Sequence, residues 1–264
     1  FERFGLPLLV VEVAAPGVIA ALNAGFARTS GEIIAVTDDD ARPRPDWVLR
    51  LEAHFRADAA VGGVGGRDRI GGVGDVPDGG RRRVGTVQWW GRRLGNHHLG
   101  VGGPRVVDIL KGVNMSFRRL AIQGMEFDSR MRGEGAQPHF EVEFSLRLRR
   151  RGWKLIYDPD AAVDHFPGAL TAGDHRARRH PRAVTDAVHN ETVALLEHLS
   201  FARRLVFWVW AVAVGTRCAP GLVQWLRFLP SEPVWTTRKL AASLRGRYAA
   251  VLTRRAALVA RNDS

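Results

Sequence analysis

The amino-acid sequence predicts a layered α/β domain, and three observations point to it. Between residues 8 and 67, apolar runs of strand length alternate with stretches whose apolar residues recur at +3 and +4, giving the order strand, helix, strand, helix, strand. The second run, Glu32–Thr37, holds Ile33, Ile34, Ala35 and Val36 in succession; apolar on both faces, it reads as a central parallel strand covered by helices on both sides. That run stops abruptly at Asp38, Asp39 and Asp40. In open α/β sheets, ligands bind beyond the carboxyl ends of the strands.

Each element has a local reason. Leu8–Val13, LLVVEV, reads as a short buried strand broken by Pro16-Gly17. Ile19, Leu22 and Phe26 form the apolar stripe of a helix that ends near Ser30-Gly31. Pro45 stands as at a helix start, and Val48, Leu51 and Phe55 repeat the helical spacing. Ala60–Arg67 reads as the next strand. Its GGVGG, Gly62–Gly66, lacks the third glycine of a dinucleotide fingerprint. Gln88–Gly100, QWWGRRLGNHHLG, reads as a loop in which Trp89 and Trp90 either stack on a ligand ring or pack into the core, with Asn96, His97 and His98 as polar contacts. No further ligand at suitable spacing joins His97 and His98 into a zinc site.

Further on, Glu141 and Glu143 open a helix that Arg147, Arg149, Arg150 and Arg151 close, with Gly152 as the residue after its end; acid first and base last complement the helix dipole. Trp153–Tyr157 reads as a strand, Asp158-Pro159 as a turn, and the next apolar run ends in Val163-Asp164-His165. The acidic triplet has two readings. It is an acidic turn, or its carboxylates hold a hard divalent cation through oxygen ligands.

The chain has 264 residues, 45% of them hydrophobic, which excludes a disordered chain. Its 39 basic and 27 acidic residues give a formal charge of +12 and favour anionic partners. Cys218 is the only cysteine, so an internal disulfide and a cysteine zinc site are both excluded.

Four blocks together resemble family 2 glycosyltransferases of GT-A-type, Rossmann-like fold. Asn23–Val48 resembles the segment that ends in the family's DxD motif. Leu110–Arg119 resembles the acceptor-side strand. Glu141–Pro159 resembles the helix carrying the catalytic base, and Val163–Gly168 the closing segment. The resemblance covers roughly residues 8–170 and implies an inverting transfer from a nucleoside-diphosphate sugar to a glycan or lipid-linked acceptor, with Mn2+ or Mg2+ as cofactor. By match to these motifs, Asp40 binds the metal directly, Asp38 holds the metal, one of its waters or the ribose, and His165 is the later metal ligand. Asn114 falls in the acceptor-side block, and Trp89 and Trp90 are candidates for a sugar face.

The resemblance has two departures. The family's base is an Asp preceded by an acid, and here the matching pair is Phe140-Glu141, so Glu141 takes the role with Glu143 in reserve. The family's opening strands have no counterpart before Leu8, and LLVVEV is more similar to the third strand. The sheet is therefore expected to be N-terminally incomplete, with half a nucleotide site. No QxxRW block is present, which favours transfer of one sugar per encounter.

The expected organisation is a catalytic domain over 1–170, a basic linker and helix over 171–200, and a helical, membrane-associated region over 201–264. His175–Arg182, HRARRHPR, is either a solvated run or a cationic loop over the diphosphate. Asn190–Ser200 reads as a helix with Val193, Leu196 and Leu199 on one face. Leu205–Gly215 is shorter than the roughly 20 residues a span needs. Arg203, Arg204 and Arg217 flank it, and Leu222–Leu229 repeats the theme with Trp225. These stretches either lie in the interface of an anionic membrane or pack on the catalytic domain. The expected setting is bacterial envelope assembly, peripheral to the cytoplasmic face of the cell membrane. Two rivals are a non-catalytic membrane scaffold and a nucleic-acid binder. The latter is disfavoured because no recognition motif accompanies the charge.

Overall fold

A computed structural model describes residues 8–71, 80–166 and 180–262. In chain order the elements that build the main sheet and its covers are α1 (Val18–Arg28), β1 (Ile33–Thr37), β2 (Ala41–Pro43), α2 (Trp47–Ala57) and β3 (Val61–Ile70). A small hairpin, β4 (Thr86–Val87) and β5 (Arg93–Leu94), precedes β6 (Arg105–Val107), β7 (Asn114–Arg118), α3 (Arg119–Ile122), α4 (Phe140–Arg150) and β8 (Lys154–His165). Four helices follow: α5 (Pro181–His198), α6 (Phe201–Ala213), α7 (Leu222–Phe228) and α8 (Pro233–Asn262).

The sheet runs β1-β7-β3-β8-β2, with β6 also paired to β8. Only β3 and β8 run parallel, and the other pairs in the sheet are antiparallel. Two cores cover its faces. Phe26, Phe117, Phe127 and Phe144 pack edge-on and stacked on one side, with the Phe127 and Phe144 rings 4.1 Å apart. Trp47, Leu51 and Phe55 of α2 pack on Val61, Val64 and Val163 on the other.

Four sequence expectations change here. Leu8–Val13 forms no strand; Leu8, Leu9 and Val10 are exposed and pair with nothing among the described residues, and a strand is stabilised by its cross-strand partners. The Ile33–Thr37 strand puts Ile34 and Val36 in one core and Ile33 against the other, but Ala35 and Thr37 are exposed, and the strand lies at the edge of the described sheet, antiparallel to β7. On α2 the buried residue of the first turn is Trp47, not Val48, because the Trp47 indole N–H reaches the Asn114 side-chain oxygen at 3.0 Å. Asp158-Pro159 is no turn. It lies within β8, where Asp158 pairs with Gly66 and the next pair is Val163 with Asp68, so Pro159 occupies a bulge, where its missing N–H costs no ladder bond.

The Gly62–Gly66 run explains itself in this sheet. A Cβ on Gly66 would sit 1.6 Å from the Ala161 carbonyl oxygen, and one on Gly65 2.5 Å from that of Asn114. Glycine is needed because neighbouring backbone approaches too closely for any side chain.

Candidate functional site

One cleft of about 420 Å³ gathers side chains from the carboxyl end of β1, from β3, the β4–β5 hairpin, the segment before β7, the start of α4 and the end of β8. Its acidic wall is the Asp38–Asp40 turn. The Ala41 N–H donates to the Asp38 carbonyl at 3.2 Å, so the triplet is a tight turn, and the pairing of Ala41 with His165 brings Asp40 beside the last residue of β8. Asp38, Asp40 and His165 each offer a ligand atom within 4.8 Å of the others. Both readings of the triplet therefore hold geometrically. It is a turn, and its outer two members converge with a histidine on one point. Asp39 is not part of that group.

His165 is fixed from behind. Its Nδ1 lies 2.9 Å from Asp68 Oδ1, and Nε2 faces Asp40 Oδ1 at 3.3 Å. With the proton on Nδ1, the ring donates to the buried Asp68 and presents the Nε2 lone pair toward Asp38 and Asp40. Asp38 is held above the ordinary aspartate range, first by partial removal from water and then by Asp40. Two carboxylates and an imidazole form a donor set suited to Mn2+ or Mg2+.

The same cleft holds Glu141, in the first turn of α4 and 8% exposed. His139 precedes the helix in the left-handed region, φ 69°, and turns the chain so that Glu141 enters the cleft. Burial pushes the Glu141 carboxyl up, but Lys111, His139 and Arg93 together outweigh it and hold it below the ordinary glutamate range. His139 and His97 are pushed down to about 4, chiefly by burial, and stand neutral at pH 7. Arg93 donates from Nε to Glu191 Oε1 of α5 at 3.0 Å, and its guanidinium reaches within 3.4 Å of His139 Nε2.

The expected site residues thus divide. Asp38, Glu141 and His165 line the cleft, and Asp40 closes the metal group. Glu143 points elsewhere; it is 2% exposed and pairs with Arg147 and His198. Asn114 is fully buried, and its amide is engaged with Trp47, Arg67 and Ala161, which sets its side chain in the core. Trp89 and Trp90 are not among the cleft residues; Trp89 is exposed, and its carbonyl accepts from Arg203 of α6. Of His175–Arg182, positions 175–179 lie outside the described residues. The sequence reading missed Lys111, Arg93 and Asp68. Asp68 had one signal, a lone acid at the end of an apolar strand. The other two had none, because separate elements place them.

Residues 6–123 match the family model described as glycosyl transferase family 2. No curated protein matches the chain. Among solved structures, the mannosyltransferase PcManGT from Pyrobaculum calidifontis, in complex with GDP-Man and Mn2+, is similar at 19% identity and a TM-score of 0.50, over 92% of this chain and 69% of that one. GalNAc-T7, with UDP, GalNAc and Mn2+, is similar at 16% identity and a TM-score of 0.52, over 88% of this chain and 44% of that one. These likenesses establish the fold, a mixed α/β sheet of GT-A type.

Proposed function

We propose that this cleft transfers a hexosyl group, with inversion, from a nucleoside-diphosphate donor to a hydroxyl of a polysaccharide or glycolipid acceptor, a reading supported by the match of residues 6–123 to the glycosyl transferase family 2 model. The observation that carries the reading is the convergence, in one cleft, of the Asp38–Asp40–His165 group with an ionised, buried Glu141. The acceptor O–H proton passes to the Glu141 carboxylate. The freed oxygen forms a bond to the anomeric carbon from the face opposite the diphosphate. The bond from that carbon to the diphosphate oxygen breaks, and its electron pair leaves with the nucleoside diphosphate. Asp38, Asp40 and His165 would hold a divalent cation, which when bound would neutralise charge on the leaving diphosphate. Asp68 keeps the His165 ring turned toward that position. Lys111 lines the cleft and adds a positive charge felt by both Asp38 and Glu141. The Mn2+ and nucleotide in the two similar structures support the donor class and the cofactor. A setting at the cytoplasmic face of a bacterial membrane, in envelope assembly, fits the net charge of +12.

The test is release of nucleoside diphosphate from a panel of UDP- and GDP-sugars, with Mn2+ and with chelator. Release should require the metal, and Glu141→Gln should lower kcat about 10²–10⁴-fold with donor affinity kept. NMR of the product's anomeric configuration checks inversion. Absence of release from every donor, in the presence of Mn2+ and acceptor extracts, would leave the scaffold reading standing instead.

A further inference from the structure

The helices after α5 carry a face that catalysis does not use. On α6, Phe201, Leu205, Val209 and Val212 recur at +4, +4 and +3 and stand 73%, 53%, 71% and 38% exposed. On the other side of the same helix, Phe207 and Ala211 are buried against Leu195, Leu196 and Leu199. The helix therefore has two apolar faces, one of them uncovered. A bridge between Gly215 and Pro220 closes the bend after α6, and Gly221 lies against the Ala211 and Val212 carbonyls, so α7 begins where the α6 stripe ends. α7 buries no residue and exposes Leu222, Val223 and Leu226. Arg217 and Arg227, both exposed, lie over the Phe228 ring at 5.5 and 5.4 Å.

The charge along this part of the chain is one-sided. From Phe201 to Ala260 the chain holds ten arginines and lysines and a single acid, Glu232. A second copy would bring the same positive field against itself, and a basic partner is repelled likewise. What complements apolar stripes rimmed by guanidiniums is a surface that is apolar beneath and anionic on top. Among the described residues no helix is long and apolar enough to cross a membrane.

We propose that the α6–α7 face lies in the interface of an anionic lipid leaflet, its two stripes entering the acyl boundary and Arg217 and Arg227 meeting lipid phosphates. Of the three flanking cations expected from sequence, Arg217 stays exposed and the other two are engaged elsewhere. Arg203 is tied to the Trp89 and Gln88 carbonyls at 3.0 and 3.1 Å, and Arg204 turns toward the Glu197 carbonyl. Arg203 thereby fastens α6 to the β4–β5 hairpin, whose Arg93 lines the cleft, so one short unit links the lipid face to the site. The role of docking, presenting a lipid-borne acceptor to the cleft, rests on the catalytic reading, whereas the binding itself stands on other residues.

The experiment is co-sedimentation of the full chain with vesicles of phosphatidylcholine alone and with about one third phosphatidylglycerol, at low and high salt. Binding should need the anionic lipid and weaken at least roughly tenfold at high ionic strength. Leu205→Glu with Val209→Glu, and separately Arg217→Glu with Arg227→Glu, should each weaken it by a similar factor, with circular dichroism, Tm and donor turnover unchanged. Failure to bind anionic vesicles at low salt, or binding indifferent to both double variants, overturns the proposal. So does a dimer in light scattering that Leu205→Glu with Val209→Glu dissolves, which would make the face an interface between copies. Vesicle binding without donor turnover sinks the catalytic reading alone, and turnover without vesicle binding sinks this one alone.

Discussion

Glu141 shows how a carboxylate can be both buried and charged. Burial favours its neutral form, and Lys111 and Arg93, joined by His139 only as that ring protonates near 4, reverse the balance. A base with a depressed pKa is active above that pKa and fails as pH falls through it. The acidic limb of kcat/KM should therefore lie below 4.5, the ordinary glutamate value. Lys111→Met removes the second-largest influence on this carboxyl and should move the limb upward, with the fold kept. A limb unmoved by that change would dissociate Lys111 from Glu141. The legible residues at this scale were those inside contiguous motifs. Asp38, Asp40, Glu141 and His165 each sit in a run whose neighbours announce a strand end or a helix start. Lys111, Arg93 and Asp68 come into place through strand register and a hairpin fastened to α5, which no local spacing encodes. Asn114 shows the converse, since a residue type suited to a ligand is engaged in the core by Trp47 and the Ala161 carbonyl.

At the scale of elements, β3 is the clearest case of sequence following close approach. Gly66→Ala places a methyl group into the Ala161 carbonyl, whereas a methyl group added at Gly25, inside α1, meets nothing within 4 Å. Gly66→Ala should cost at least about 3 kcal/mol, as an overpacked site with no side chain able to yield. Gly25→Ala should stabilise by about 0.5–1 kcal/mol, since a helix interior gains from the lost backbone freedom. Urea denaturation midpoints read both, and equal, small effects would show that β3 and β8 are not packed as described. The helices were read from their +3 and +4 spacing, which is local physics. The strand expected at Leu8–Val13 does not form, because a mostly apolar run becomes a strand only beside a partner, and partners are a property of the whole sheet. Pro159 misled for the same reason, since a bulge in a paired strand and a turn look alike in sequence.

Across the whole molecule, the helices beyond the catalytic sheet are part of its structure. Val193 of α5 and Ala250 of α8 belong to the main core, and Glu191 of α5 positions Arg93 in the cleft. The charge pattern of the entire chain also sets its pH response. His97 and His139 stay neutral in the folded state down to about 4, while in the unfolded chain they take up protons near 6.5. The unfolded state therefore binds more protons as pH falls, so stability is lost between about 6.5 and about 4. Glu141, Glu191 and Asp128, with lowered pKa values, extend the loss below the ordinary carboxylate range. Calorimetric Tm should fall steadily from pH 7 toward pH 4, and His97→Phe should flatten that fall; a Tm constant across the window would contradict neutral, buried imidazoles. A helical C-terminal third was readable from apolar periodicity, while its packing onto α4 and α5 was not, because apolar stripes do not name their partners.

The proposed transfer would depend above all on a cation held by the aspartate turn. Mn2+ binding can be read by electron paramagnetic resonance, in the presence of UDP or GDP, on the parent chain and on single variants. Asp40→Ala and His165→Ala should abolish binding, Asp38→Ala should weaken it severely, and Asp39→Asn should leave it nearly intact. Asp68→Asn, which frees the His165 ring without touching the cation, should weaken it about 10–100-fold. Equal losses at Asp38, Asp39 and Asp40, or Mn2+ binding that ignores His165, would contradict a metal centre here and leave the triplet an acidic turn.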